Sequence, residues 1–197
     1  MTKRKKQADL IREQPMSYDE YAALPEDGNR YELVEGILEM MSPGATARHQ
    51  MMSFEMQSRL AQTCKLEYVI LYAPIDVILS NREVRQPDLV MIHRSRLEII
   101  TKRGIEGAPD LVIEILSPHS IRRDKVGKRR SYAKYGIPEY WVIDPPNEAL
   151  EQYILNGDVY ELAEVYIGDE LVQSEHIPCI AFTMQDIMGS IPELPNA

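Results

Sequence analysis

The sequence predicts a single α/β (α+β) domain built round a mixed β-sheet. Three observations carry this. The runs PDLVMI (87–92) and PDLVIEIL (109–116) are short, rich in β-formers and opened by proline, as strands are. Between the second of them and PEYWVIDP (138–145) lies a basic stretch with helical spacing, so this step reads as a right-handed parallel crossover. From Ala149 onward, alternating residues flank Asn156-Gly157, which reads as an antiparallel hairpin.

The chain has 197 residues, 44% of them hydrophobic, enough for one domain with a real core. Residues 1–16 are expected to form a flexible basic tail and 17–197 the domain. No apolar run approaches the roughly 20 residues that a membrane span needs. The N-terminus lacks the apolar stretch of about 7–15 residues found in a secretory signal. Cys64 and Cys179 form no ligand-like pair, so reduced thiols in a cytoplasmic protein are expected. The net charge of −9 argues against coating nucleic acid through an overall field. Locally the balance reverses: Arg122 to Lys134 holds seven basic residues and one acid, Asp124. Such a helix can hold a phosphate backbone.

Taken in order, SYDEYAALPED (17–27) starts as a short helix at Ser17, with Glu20 placed for a capping box. RYELVEGILEMM (30–41) is a strand pair or one bent strand, with Gly36 at the break. His49, Met52, Met56 and Leu60 recur at helical spacing in 48–64. LEYVILYA and PIDVILS (66–80) are strands, as is QPDLVMI (86–92), and 95–107 is a short helix or loop insert. IRRDKVGKRRSYAKYG (121–136) is a helix closed by Gly136 with Pro138 behind it. TMQDIM closes the chain's last short helix.

Glu114 is an acid inside a strand that otherwise looks buried. Asp110 shares its face but stands about 13 Å away along the strand, too far for both to hold one small ion. Asp88 heads a separate strand, and neighbouring strands lie only ~4.8 Å apart, so Asp88 and Glu114 can converge. Converging carboxylates suggest a divalent cation, and a lysine beside them suggests phosphodiester chemistry. Lys128 shares a helix face with Tyr132 and Tyr135, while Lys125 lies on nearly the same stripe and is held in reserve.

QPDLVMI, PDLVIEILSP, RRDKVGKRRSYAKYGIPEYWVIDP and YELVEGILEMMSP together resemble the PD-(D/E)XK, or restriction-endonuclease-like, superfamily. They are closest to a bacterial group of uncharacterised restriction-endonuclease-like proteins. The resemblance runs from about residue 17 to 185. It implies a restriction-endonuclease-like core, a mixed central β-sheet flanked by helices with extra antiparallel strands at both ends, magnesium-dependent DNA cleavage with manganese as substitute, and a homodimer. RNA stands behind DNA as substrate. Asp88 matches the first acid of the motif and Glu114 the second, 26 residues on. The motif lysine belongs two residues after the second acid, where this chain has Leu116; Lys128 fits a migration of that lysine to the helix. Glu35 matches an upstream acid near the metal, with Glu32 competing for the role. His49 stands where the closer group places histidine, at the start of its first core helix. Arg122, Arg123, Lys125 and Arg129 are the expected DNA-backbone contacts. Two rivals stand beside the nuclease: a non-catalytic descendant that binds nucleic acid or protein, and a structural homodimer pairing through the strands of 150–176.

Overall fold

A computed structural model of the chain describes residues 15–41, 44–118 and 120–193. Most of the expected basic tail lies outside the described residues. Met16, however, is buried, and its amide donates to the Gly36 carbonyl at 2.8 Å, so the body begins before Ser17.

The N-terminal elements are α1 (Tyr18–Ala22), β1 (Tyr31–Val34), β2 (Ile37–Met40) and α2 (Ala47–Cys64). Ser17 caps α1 in a capping box with Glu20. β1 and β2 form a hairpin whose turn, Glu35-Gly36, has both φ angles positive. Glycine takes that geometry freely, and a residue with a Cβ takes it at some cost. Then come β3 (Tyr68–Tyr72), β4 (Val77–Ser80), β5 (Glu83–Arg85) and β6 (Leu89–His93). The insert of 95–107 is a 3₁₀ helix (Arg94–Ile99) followed by a small hairpin, β7 (Ile100–Thr101) and β8 (Gly104–Glu106). After β9 (Leu111–Ile115) the expected helix is composite: a π-helical turn, Arg123–Lys128, runs into α3 (Arg129–Lys134). The chain ends through β10 (Glu139–Asp144), β11 (Ala149–Asn156), β12 (Val159–Ile167), β13 (Leu171–Val172), β14 (Phe182–Thr183) and α4 (Met184–Met188).

The strands make two six-stranded mixed sheets. The central one runs β12-β11-β10-β9-β6-β3, with β9 and β10 parallel and the other pairs antiparallel. The other runs β2-β1-β5-β4-β8-β7, and a short pair, β13-β14, stands apart. The fold class is the expected one: mixed sheets flanked by helices, with the crossover from β9 to β10 parallel.

Alternation along the central strands sends side chains to two cores. On one face Leu89, Met91, Leu111, Ile113 and Trp141 meet the stripe Met52, Met56 and Leu60 of α2. On the other, Val90, Val112 and Val142 meet Tyr132 and Tyr140, joined by Val77 and Ile105 of the second sheet. Both faces are covered, which is why these strands read as nearly continuous apolar runs.

Cys64 continues the buried stripe of α2, and its sulfur is bonded to that of Cys179. The expectation of reduced thiols is thereby corrected, and it no longer supports a reducing compartment. The partners are 115 residues apart, and only the packing of the C-terminal loop against α2 brings their Cα atoms to 5.2 Å. Among the described residues, no helix is long and apolar enough to cross a membrane.

Candidate active site

β6 and β9 pair antiparallel with Leu89 opposite Ile113. Continuing that register by one residue sets Asp88 opposite Glu114. The Asp88 carboxylate is pinned at the strand mouth, where Oδ2 accepts from the Ile115 amide at 2.7 Å and lies 3.2 Å from His49 Nε2. His49 is delivered by the first turn of α2, where its amide donates to the N-capping Thr46 hydroxyl. The same imidazole nitrogen stands 3.1 Å from the Ile115 carbonyl. Burial would raise the Asp88 carboxyl, but the His49 bond, its charge and that of Lys128 hold it below the ordinary range.

Glu114 is 2% exposed. Its Oε1 accepts from Lys128 Nζ and from Tyr132 Oη, each at 2.7 Å. Lys128 is buried as well and also reaches Glu32 Oε1 at 3.3 Å, the Gln86 carbonyl at 3.3 Å and Asp124 Oδ1 at 3.9 Å. Burial pulls the lysine down, but the carboxylates of Glu114, Glu32, Asp124 and Asp88 win and hold it charged. Glu114 is pushed well above the usual carboxylate range, first by burial and further by Asp124 and Asp88.

Leu116, at the motif's lysine position, is buried in the core with Tyr132 and Tyr140. Lys128 brings an ammonium to Glu114 from the helix instead. Lys125, the reserve, points elsewhere and bonds Glu151 at 2.7 Å.

Glu35 does not join this cluster. It sits exposed in the β1–β2 turn and pairs with Lys134 at 3.0 Å. Its competitor Glu32, three residues earlier and inside β1, does join. Glu32 accepts from the Gln86 amide at 2.9 Å and lies 3.3 Å from Arg85 Nη1. Burial would raise its carboxyl, and Lys128 and Arg85 hold it low.

The basic residues of the helix do not share one face. Arg123 borders the site and Arg122 is exposed, whereas Arg129 lies over the Tyr153 ring, 5.3 Å from its centroid. Asp124, the one acid of the basic run, lies in the site with 2% exposure. Burial raises its carboxyl against the pull of Lys128. Its place four residues before Lys128 signalled a shared helix face, but not that the face is the site's wall.

These groups line a pocket of about 380 Å³ that includes His49, Asp88, Glu114, Arg123, Asp124 and Lys128. A groove of about 420 Å³ between α2 and β3, lined by Phe54, Tyr68 and Val69, holds none of these carboxylates. Among the described residues, no three His, Cys, Asp or Glu side chains are grouped to cage an ion by themselves. Magnesium needs no such cage: it takes one or two carboxylates and keeps several waters. The hard carboxylate oxygens of Asp88, Glu114 and Asp124 in this pocket suit that ion, and Asp124 Oδ1 is buried without a hydrogen-bond partner among the described residues.

The family model described as Uma2, putative restriction endonuclease, matches residues 18–185. The chain belongs to this family. The solved structure of a putative nuclease belonging to DUF820 from Anabaena variabilis ATCC 29413 matches with a TM-score of 0.74 at 22% identity. The match covers 89% of this chain and 99% of that one, and it shows the fold. No curated protein matches. The Uma2 match and the fold agree with the restriction-endonuclease-like resemblance of the sequence.

Proposed function

We propose that this Uma2-family chain is a metal-dependent endonuclease that hydrolyses DNA phosphodiester bonds. One observation supports it above the rest: Asp88 and Glu114 face each other across adjacent strands in one pocket, with a charged lysine 2.7 Å from Glu114. In this reading Asp88 and Glu114 hold magnesium, or manganese in its place. The bound ion supplies Lewis-acid polarisation of the phosphoryl oxygen and lowers the pKa of water.

The protein's own groups do the rest. The surrounding carboxylates raise the Lys128 ammonium above its ordinary value, so it acts as a fixed positive charge beside the developing phosphorane. Tyr132 and Lys128 together fix the Glu114 carboxylate, and His49 and the Ile115 amide fix that of Asp88. Glu32 holds Lys128 from its other side. Arg123 offers a cation at the pocket wall for a neighbouring phosphate. DNA is the substrate that the family description supports, and a homodimer would supply the two sites needed for cutting both strands.

The burial of Lys128 favours one alternative, a scaffold that binds nucleic acid without cutting it, with the lysine as a structural counter-ion. Incubation of the purified chain with supercoiled DNA, single-stranded DNA and RNA, with magnesium, manganese or EDTA, separates the two. Metal-dependent nicking of DNA is the expected result. Retarded but intact DNA under every condition would favour the scaffold.

A further inference from the structure

Four buried side-chain nitrogen or oxygen atoms lack a hydrogen-bond partner among the described residues. Three of them, His49 Nδ1, Arg123 Nε and Asp124 Oδ1, belong to side chains that line the candidate active site. Folded proteins pair nearly all such atoms, and the exceptions mark a strained site or an occupant. Three at one pocket point to an occupant with polar atoms of its own.

Asp124 is the most demanding of the three, a carboxylate with 2% exposure. Its nearest cations stop short of hydrogen-bond contact: Arg123 Nε is 3.7 Å away and Lys128 Nζ 3.9 Å. Lys128 is committed to Glu114, at 2.7 Å. The π-helical turn Arg123–Lys128 carries both Asp124 and Lys128 into the pocket, and such turns are frequent at functional sites. A group satisfying Asp124 Oδ1 must donate a hydrogen, and one satisfying the adjacent Arg123 Nε must offer a lone pair. A water does both, and a water on a divalent ion is the stronger donor.

We propose that Asp124 is a positioning residue of the cation site: its Oδ1 accepts a hydrogen bond from a water on the ion held by Asp88 and Glu114 and fixes how that water points. This rests on the reading of Asp88 and Glu114 as cation ligands. Asp124 acts through the water and not as a direct ligand, in keeping with the absence of a three-group cage among the described residues.

The test uses the full chain with manganese alone. Free manganese is counted by electron paramagnetic resonance, and the relaxation of water protons reports on the waters of the bound ion. Wild type is compared with Asp124→Ala, which removes both acceptor oxygens, and with Asp124→Ser in case the alanine does not fold; melting without metal checks folding. The expected result is manganese binding about tenfold weaker in the folded variant, the low end for loss of an outer-shell partner, with altered proton relaxation per bound ion. Equal affinity and equal relaxation would overturn the role of Asp124 and leave the nuclease reading standing. Weaker binding with unchanged relaxation would also overturn it, because the loss would then be charge alone. A wild type that binds no manganese would overturn both readings.

Discussion

Replacing Lys128 by Met should unbalance the site in a way that pH can read. Methionine matches the lysine stem in length but leaves Glu114, Glu32 and Asp124, at 2.7, 3.3 and 3.9 Å from the lost ammonium, without their shared cation. Removing one partner of a buried ion pair costs about 3–5 kcal/mol, because the other charge stays buried and uncompensated. For a chain of this size that lowers the melting temperature by roughly 6–20 °C. The loss must also depend on pH. Burial already holds the folded Glu114 carboxyl well above its ordinary value, and Lys128 is what opposes this. Without the lysine its folded pKa rises further above the unfolded one, so the variant loses stability as pH climbs through that interval. Urea unfolding at pH 8 and pH 5 is the assay. The deficit against wild type should be larger at pH 8, and Lys128→Met combined with Glu114→Gln should recover part of it. A deficit under about 1 kcal/mol at pH 8, against the ~3 kcal/mol floor for a broken buried pair, would refute the reasoning, as would one that grows on acidification.

Other outcomes follow from particular contacts. Burial raises the Asp76 carboxyl against hydrogen bonds from Gln86 and Tyr21. A folded pKa above the unfolded one means that its contribution is greatest at low pH and falls as pH rises through the folded value. Asp76→Asn should therefore compare more favourably with wild type in urea unfolding at pH 7 than at pH 4, and the opposite trend would contradict the account. Under non-reducing conditions a thiol titration of the unfolded chain should find no free cysteine. Reduction should cost up to about 4–5 kcal/mol on the chain-entropy estimate for a loop of 115 residues. Glu32→Gln should destabilise by roughly 3 kcal/mol, since it strips a buried partner from Lys128 and Arg85. Glu35→Ala, at the exposed turn, should leave melting unchanged; equal effects of the two would contradict the placement of Glu32.

What the sequence made legible was whatever a short-range period could carry. The two Pro-Asp strands suggested that Asp88 and Glu114 can meet, because neighbouring strands lie close, and the register of the structure sets them opposite each other. The repeat from Lys128 to Tyr132 pointed to the lysine, because both residues face inward from one helix. Glu32 and Glu35 could not be separated in this way: the choice depends on where a two-residue turn falls, and that turn takes Glu35 out of the strand. The basic run read as one helix holding a phosphate backbone because its charges were counted along the chain. In the structure Lys125 is spent on Glu151 and Arg129 lies over Tyr153, partners from β11 that no local pattern announces. The bond between Cys64 and Cys179 was illegible for the same reason, since tertiary packing alone brings together residues 115 apart.

In the proposed function the Glu114–Lys128 pair, joined to Asp88, cuts phosphodiesters with a divalent ion. The most direct measurement is the rate of nicking of supercoiled DNA at saturating magnesium by wild type, Glu114→Gln and Lys128→Ala, each first shown to be folded. Wild type should nick, and EDTA should abolish the nicking. Glu114→Gln should lose it, and Lys128→Ala should fall by roughly 10²–10³-fold, the range for removing one group that stabilises transition-state charge. Nicking that persists in Glu114→Gln, or in the presence of EDTA, would contradict the proposed function.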